Sequence, residues 1–301
     1  MATFADMQND VRILVMGNLD SDTIKLLLNR AQSQICENYD WSFLLTNTVI
    51  NSVVPKQHGT ITVSQGSPLV IGAGTAFGQD DVGSFIWIGG INTAPYPIQS
   101  VQGTAVLTMV APWCGPSMVA TGYSMSPLYY LVENALQILA IRQTVWLDKV
   151  TRETLNALDP ARIAQGGDPA LKWAMGPPSP DSSQTCELWP VPQTPLPYLV
   201  DFKRRPLAMV SPFDIPLAPY SCIEAKAMMA ACDSLFASTG QQSWAVLGAK
   251  YAAQYQQELD DCRAADRKNW MHADGLTAPS ATSILSDALY MSNHDPLGPP
   301  N

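Results

Sequence analysis

Charged side chains are scarce in this chain of 301 residues, at 14% of the composition, although 47% of the residues are hydrophobic. The chain can therefore build a core, but its surface must be poor in charge, which is typical of proteins that partners partly cover. No apolar run approaches the roughly 18 residues of a membrane span. The opening residues, MATFAD, lack a basic region and an apolar stretch, so we expect no signal peptide and no membrane span.

Metal-binding patterns are missing too. The six cysteines, at positions 36, 114, 186, 222, 232 and 262, include no C-x-x-C pair. The three histidines, at positions 58, 272 and 294, show no ligand spacing with them. We therefore expect no zinc site, and buried free thiols in a reducing cytoplasm are the better interpretation.

Catalytic and cofactor motifs are also absent. Residues 72–77 (GAGTAF) begin like a dinucleotide fingerprint, but the third glycine is missing and turn residues follow instead of a helix. The chain has no G-K-S/T phosphate loop, no H-E-x-x-H and no G-x-S-x-G. The neighbours Asp260 and Asp261 would point about 100° apart on a helix, so they cannot form an acid–base pair. We expect no enzymatic activity, no catalytic residues, no cofactor and no metal.

The charge balance is acidic, with 17 basic against 26 acidic residues and a net charge of −9. A protein that grips nucleic acid backbones usually has the opposite balance, whereas an acidic surface still allows DNA to slide past. The one basic cluster is Lys203, Arg204 and Arg205. Two interpretations stay open for it: the exposed end of a strand, or a contact with DNA or with an acidic partner.

Helical periodicity marks residues 3–38 near the start of the chain and residues 221–272 before its C-terminal tail. Thr3 and Asp6 form a capping pair, Asp20 or Ser21 starts a second helix that ends near Asn38, and two long helices follow at about 221–238 and 241–272. We also predict a helix over 126–147, begun by Ser126 and Pro127, and a shorter one over 151–163. The residues that we expect to be buried are Leu28, Ile35, Trp41, Leu131, Ile138, Leu247 and Leu259.

The middle of the chain is β-rich. Between residues 59 and 123, short β-branched and aromatic runs alternate with glycine, proline and asparagine, which is the signature of small antiparallel strands. Residues 46–54 predict a strand that leads into this block. Residues 168–173 predict a short helical turn. Two further runs, 185–192 and 198–206, predict a β-hairpin, with Pro190 and Pro192 at a strand end because proline cannot donate a ladder hydrogen bond.

Three stretches, in this order, resemble the head-to-tail adaptor, or connector, proteins of tailed bacteriophages. The first is a helix with Ile24, Leu28 and Ile35 that precedes residues 41–44 (WSFL). The second is the β block, and the third, the most distinctive, is residues 188–192 (LWPVP) followed by the alternating strand that ends at 204–206 (RRP). The segments of the β block that carry the resemblance are 72–77 (GAGTAF), 81–83 (DVG), 86–90 (IWIGG) and 96–98 (YPI).

The resemblance implies a structural virion protein, assembled in the host cytoplasm and located at the head–tail junction. Such adaptors form a ring, usually of twelve copies, that joins the portal protein to tail or nozzle proteins. Genomic DNA passes through the ring without sequence recognition. The resemblance also implies that a C-terminal arm reaches the portal or a neighbouring subunit, and here its anchors would be Ile284, Leu285, Leu289 and Tyr290.

Together these patterns predict an α+β fold: a helical bundle core with an inserted small antiparallel β domain, a β-hairpin and an extended C-terminal tail. The predicted divisions are a helical hairpin (1–45), the β insert (46–125), a helical core with the hairpin at about 185–206 (126–275) and an extended arm (276–301). Three alternatives remain. One is a β module that binds carbohydrate or a host surface through exposed Trp87, Trp113 and Tyr96. The others are another tail structural protein and a virion hydrolase.

Overall fold

The computed structural model describes residues 2–89, 94–162, 168–181 and 183–274. These residues fall into two compact units. The helical unit combines residues 2–46 with residues 203–274, and the β unit is drawn from residues 47–202. The helices of the described residues are α1 (Phe4–Leu14), α2 (Ser21–Glu37), α3 (Arg152–Leu158), α4 (Tyr220–Thr239) and α5 (Gln242–Asp274).

Local capping sets where the N-terminal helices begin. The backbone N–H of Asp6 donates to Thr3 Oγ1, and the N–H of Thr3 donates to Asp6 Oδ2 at 2.8 Å, so the predicted capping pair is a complete capping box. Asp20 caps α2 by accepting from the backbone N–H groups of Asp22 and Thr23. Gly240, at φ 67°, ends α4 in the left-handed conformation that favours glycine.

The helical unit closes around one apolar core, which includes Trp41. This ring is 1% exposed, and its Nε1–H donates to the carbonyl oxygen of Ile35 at 2.8 Å. The predicted burial of Leu28, Ile35, Trp41 and Leu259 is confirmed, whereas Leu247 is only half-buried. The helices that both chain ends contribute therefore share a single core.

The β unit contains most of the strands. In the described residues they are β1 (Leu45–Asn51), β2 (Thr60–Val63), β3 (Leu69–Ala73), β4 (Phe85–Ile88), β5 (Tyr96–Val101), β6 (Val106–Met109), β7 (Met118–Thr121), β8 (Tyr123–Ser126), β9 (Tyr129–Val132), β10 (Ala135–Arg142), β11 (Asp148–Lys149), β12 (Lys172–Met175), β13 (Gln184–Trp189) and β14 (Pro197–Arg204). The short strands that the β block predicts are all present. β1 leads out of the helical unit and β14 leads back into it.

Seven of these strands form one curled antiparallel sheet in the order β7-β2-β3-β6-β5-β4-β8. Its two outermost strands, β7 and β8, are consecutive in the chain and only Gly122 separates them. The sheet must therefore curl until its two edges approach each other, and its inner face holds a core of its own. Asp81 braces the turn before β4, because its carboxylate accepts from the backbone N–H of Gly78 and pairs with Lys56 at 2.8 Å.

Two smaller sheets hold a second core of the β unit. β1, β14 and β10 form a three-stranded sheet in that order, and β11, β12, β13 and β9 form a four-stranded one. β11 and β12 run parallel, and the other pairs of the four-stranded sheet are antiparallel. Trp173, Tyr198 and Ile138 are fully buried in this second core.

The predicted helical bundle core is wrong, because the fold is mixed α+β and rich in β-structure. The predicted helix over 126–147 is replaced by β9 and β10. In β10 the fully buried residues, Ala135, Ile138 and Ile141, recur at every third position, a spacing that resembles one face of a helix. Leu131, expected to be buried, is 44% exposed.

Two smaller predictions are also wrong. β13 and β14 do not form a hairpin, because β13 pairs with β12 and β9 while β14 lies between β1 and β10. β13 nevertheless ends at Trp189, directly before the proline where a strand end was expected. Trp173, placed in a short helical turn, lies in β12, whereas α3 confirms a helix after Thr151.

Candidate functional site

A concave site lies in the β unit, at the turn between β10 and β11. It is a cleft of about 480 Å³ lined by Val49, Arg142, Gln143, Thr144, Val145, Trp146, Pro197 and Leu199. These eight side chains are supplied by β1, β14, the end of β10 and the turn that follows. We call this site the Trp146 cleft.

The turn that presents Trp146 is held by local hydrogen bonds. An isolated antiparallel bridge joins Arg142 to Trp146, and the N–H of Gln143 donates to the carbonyl oxygen of Val145 at 3.1 Å. The Arg142 guanidinium lies 5.0 Å from the centre of the Trp146 ring, within the range of a cation–π contact. The turn therefore fixes an aromatic ring and a cation side by side in the lining of the cleft.

Alternation along β1 and β14 supplies the apolar wall. In β1, Ile50 points into the core while its neighbour Val49 is 53% exposed. In β14, Val200 is buried and Leu199 lines the cleft. Because Trp146 is also 53% exposed, the wall leaves large apolar surface facing solvent.

The electrostatics of the cleft are simple. Asp201 follows Leu199 by two residues on β14 and so lies on the same face. Burial raises the pKa of Asp201, and the positive charge of Arg142 acts in the opposite direction. The eight lining residues include no carboxylate, histidine or thiol. This arrangement suits apolar and cation–π contacts, and it offers no pairing of a nucleophile with a base.

A second apolar surface lies on the helical unit, in the segment between β14 and α4. Leu207, Val210, Phe213 and Ile215 are between 60% and 82% exposed. The segment is nevertheless held in place, because Asp214 Oδ2 accepts from the N–H groups of Val210 and Ser211 and the Asp214 carbonyl accepts from Phe4. We call this segment the apolar loop.

The basic cluster singled out in the sequence has partners inside the helical unit. Lys203 is 6% exposed, and its Nζ lies 2.9 Å from Asp40 Oδ1. Arg204 donates to the carbonyl oxygen of Phe43 at 2.9 Å, and both Arg204 and Arg205 are half-buried. The interpretation as an exposed strand end does not fit Lys203, and a contact of this cluster with DNA or a partner stays a prediction. The other predicted contacts, Ile284, Leu285, Leu289 and Tyr290, lie outside the described residues.

The aromatic residues on which a carbohydrate-binding module would depend are mostly buried. Trp87 is 5% exposed and donates from Nε1 to the carbonyl oxygen of Ala161, and Trp113 is 2% exposed. Tyr96 is half-buried. The burial of Trp87 and Trp113 therefore does not support a carbohydrate-binding module.

Within the part of the chain that the structure describes, no group of three or more His, Cys, Asp or Glu side chains could hold a metal ion. No helix of that part is both long and apolar enough to cross a membrane.

Sequence reasoning missed the Trp146 cleft because it placed Trp146 in the helix predicted over 126–147. One signal could have found the cleft. Ile138, Ile141, Thr144 and Val145 are all β-branched, and such residues favour strands over helices.

Comparison of the chain with protein-family models gave no match, and comparison with curated protein sequences gave none either. The function proposed below therefore stands on the sequence resemblance and on the surfaces just described.

Proposed function

We propose that the chain is a structural protein of a tailed-phage virion, a head-to-tail adaptor that assembles into a ring between the portal and the tail. In this role it is not an enzyme, and it forms part of the channel through which DNA passes. The three ordered stretches that resemble adaptor proteins motivate the proposal. The structural observation that carries it is the large apolar side chains that remain exposed on both units.

These side chains favour assembly because the chain has few charges to keep copies apart. An uncovered apolar patch on a soluble protein usually marks an interaction surface. In the Trp146 cleft and the apolar loop, such side chains are held by backbone hydrogen bonds rather than left on loose termini. Surfaces that are already ordered lose little conformational entropy when a partner covers them.

The acidic balance supports a channel that does not grip DNA. With a net charge of −9, the chain as a whole repels phosphates, so binding by release of counterions is disfavoured. Lys203, the most buried residue of the basic cluster, is paired with Asp40. Passage of DNA without sequence recognition agrees with this distribution.

The test is assembly of the purified protein with the portal protein of the same virus, followed by electron microscopy and mass measurement. We expect a ring of subunits on the portal, with an added mass near twelve times 32.6 kDa. If the protein never joins the portal, or remains a single subunit upon it, the proposal is wrong.

Surface variants identify which faces take part. Val145→Ser, Trp146→Ser and Phe213→Ser should weaken ring formation and leave the circular dichroism spectrum of the free subunit unchanged. The matched control is Val119→Ser, since Val119 is 79% exposed on β7 and lies in neither surface. Equal loss of assembly in the control would show that general surface hydrophobicity, and not these two surfaces, decides assembly.

A further inference from the structure

Two cysteine sulfurs meet inside the helical unit. Cys222 Sγ donates to Cys262 Sγ across 3.1 Å, although the two residues are 40 positions apart in sequence. Cys222 lies near the start of α4 and Cys262 lies in the second half of α5. Both are free thiols in the structure.

The hairpin formed by α4 and α5 brings these two sulfurs together. Only Gly240 and Gln241 separate α4 from α5, so the two helices form a tight hairpin and run antiparallel. Cys222 and Cys262 lie at similar separations from this turn and are therefore level with each other. A second contact confirms the register: a Cβ placed on Gly248 of α5 would lie 3.4 Å from the Cβ of Cys232 on α4.

The separation of the two sulfurs is close to that of a disulfide bond. A disulfide needs its sulfurs about 2.05 Å apart, so the present separation must shrink by about 1 Å, which small side-chain rotations can supply. Access is unequal, because Cys222 is fully buried whereas Cys262 is partly exposed. Because of this difference in exposure, a reagent meets Cys262 first. Burial, and then the hydrogen bond to Cys262, also raises the pKa of Cys222 and so makes its thiol less readily ionised.

We propose that Cys222 and Cys262 form a redox pair that closes into an intramolecular disulfide when it meets a small-molecule disulfide such as oxidised glutathione. The Cys262 thiolate attacks one sulfur of oxidised glutathione, so a mixed disulfide forms and one glutathione thiolate leaves. The Cys222 thiolate then attacks the Cys262 sulfur, and the second glutathione leaves. The two protein thiols lose two protons and two electrons, and one glutathione disulfide is reduced to two glutathione thiols.

This bond ties the beginning of α4 to the later part of α5 across their turn. Because it closes a long loop, it restricts the unfolded chain more than the folded one and stabilises the helical unit. The pair is reduced in a cytoplasm and closes in an oxidising medium. The inference is independent of the proposed function, since it rests only on the hairpin and its two sulfurs.

The experiment uses the full chain, incubated with oxidised glutathione and then blocked with an alkylating reagent. Trypsin cleaves after Lys226 and Lys250, so Cys222, Cys232 and Cys262 fall on three different peptides. We expect a peptide pair linked through Cys222 and Cys262, with a mass 2 Da below the sum of the reduced peptides. The melting temperature of the helices, followed by circular dichroism at 222 nm, should rise by roughly 5–15 °C and return to its original value when the disulfide is reduced.

Variants provide the controls. Cys222→Ser and Cys262→Ser should each abolish both the linked peptides and the shift, whereas Cys114→Ser, which removes the exposed thiol of the β unit, should keep both. The proposal is overturned if Cys222 and Cys262 stay fully alkylated while Cys114 is glutathionylated. Linkage of Cys232 to either thiol would overturn it as well. Because peptide mapping of the unaltered chain decides the outcome, a variant that fails to fold does not affect the test.

Discussion

The helical unit and the β unit are assembled from the chain in opposite ways. The β unit is drawn from a continuous middle segment, 47–202, whereas the helical unit needs residues up to 46 to meet residues from 203 onward. The helical unit closes one core, and the β unit holds two separate ones. The comparison teaches that a unit with mostly local secondary structure need not be built from one continuous segment of the chain. The unit with the more local hydrogen bonds depends on the more distant parts of the chain.

The largest expected effect comes from cutting the chain at these boundaries. A fragment of residues 47–202 should fold by itself, because both of its cores are internal. A fragment of residues 1–46 should not fold, since α1 and α2 bury their apolar faces against residues of α4. Far-ultraviolet circular dichroism of the two fragments decides the matter. A disordered spectrum from 47–202 would show that the β unit depends on the helical unit.

Within the β unit, substitutions at Ile138 and Leu131 distinguish the observed strands from the helix predicted over 126–147. Ile138 is fully buried in β10, so Ile138→Ala should lower the free energy of unfolding by about 2–5 kcal/mol. Leu131 is 44% exposed in β9, so Leu131→Ala should cost about 0.5 kcal/mol or less. Urea denaturation measures both values. Similar losses at the two positions would contradict the strand assignment.

Two glycines, one in each unit, sharpen the comparison further. Gly59 has φ +89°, and an added Cβ would lie 2.6 Å from the carbonyl oxygen of Ala73. We expect Gly59→Ala to destabilise the β unit by about 3 kcal/mol, because backbone strain adds to a clash with main chain. Gly17, at φ +74° after α1, has open space around it, so Gly17→Ala should cost about 1 kcal/mol. Equal costs in thermal unfolding would mean that the clash is relieved by a backbone shift.

The smallest effect concerns the cap of α2 in the helical unit. Hydrogen bonds from the side chain and then the backbone of Thr23 lower the pKa of Asp20 below its usual value. Because the folded pKa lies below the unfolded one of about 3.9, this stabilisation is present above that pH and is lost as the pH falls through the folded pKa. Asp20→Asn keeps an acceptor without the charge, so its melting temperature should fall less than that of the wild type between pH 5 and 3. If the melting temperatures of the wild type and the variant fall equally over this pH range, the ionised form of Asp20 does not stabilise α2.

The two units also differ in how far the sequence predicts them. In the helical unit the ends of α1 and α2 follow from Thr3 and Asp20, because capping is decided by residues a few positions apart. In the β unit, the burial of Ala135, Ile138 and Ile141 in β10 depends on strands from other parts of the chain. The local pattern of that segment fits a helix equally well, so only tertiary pairing decides between the two.

The candidate surfaces were harder to predict than the fold. In the prominent basic triplet, 203–205, Lys203 turns out to be buried and paired with the half-buried Asp40. Trp146, which was predicted to lie in a helix, lines the Trp146 cleft instead. Exposure of a side chain is a property of the assembled sheet, and a residue pattern reports it only when the period of the element is read correctly.

The curl of the seven-stranded sheet has a consequence for solubility. An open sheet edge presents unpaired backbone groups that invite strands of other molecules, which is a common route to aggregation. Here the strands at the two edges are joined through Gly122, and the outer side of β8 is covered where the backbones of Lys56 and Met125 exchange hydrogen bonds of 2.8 and 3.0 Å. In a chain with so little charge to keep its copies apart, this bridge protects the β8 edge of the seven-stranded sheet from pairing with a strand of another copy.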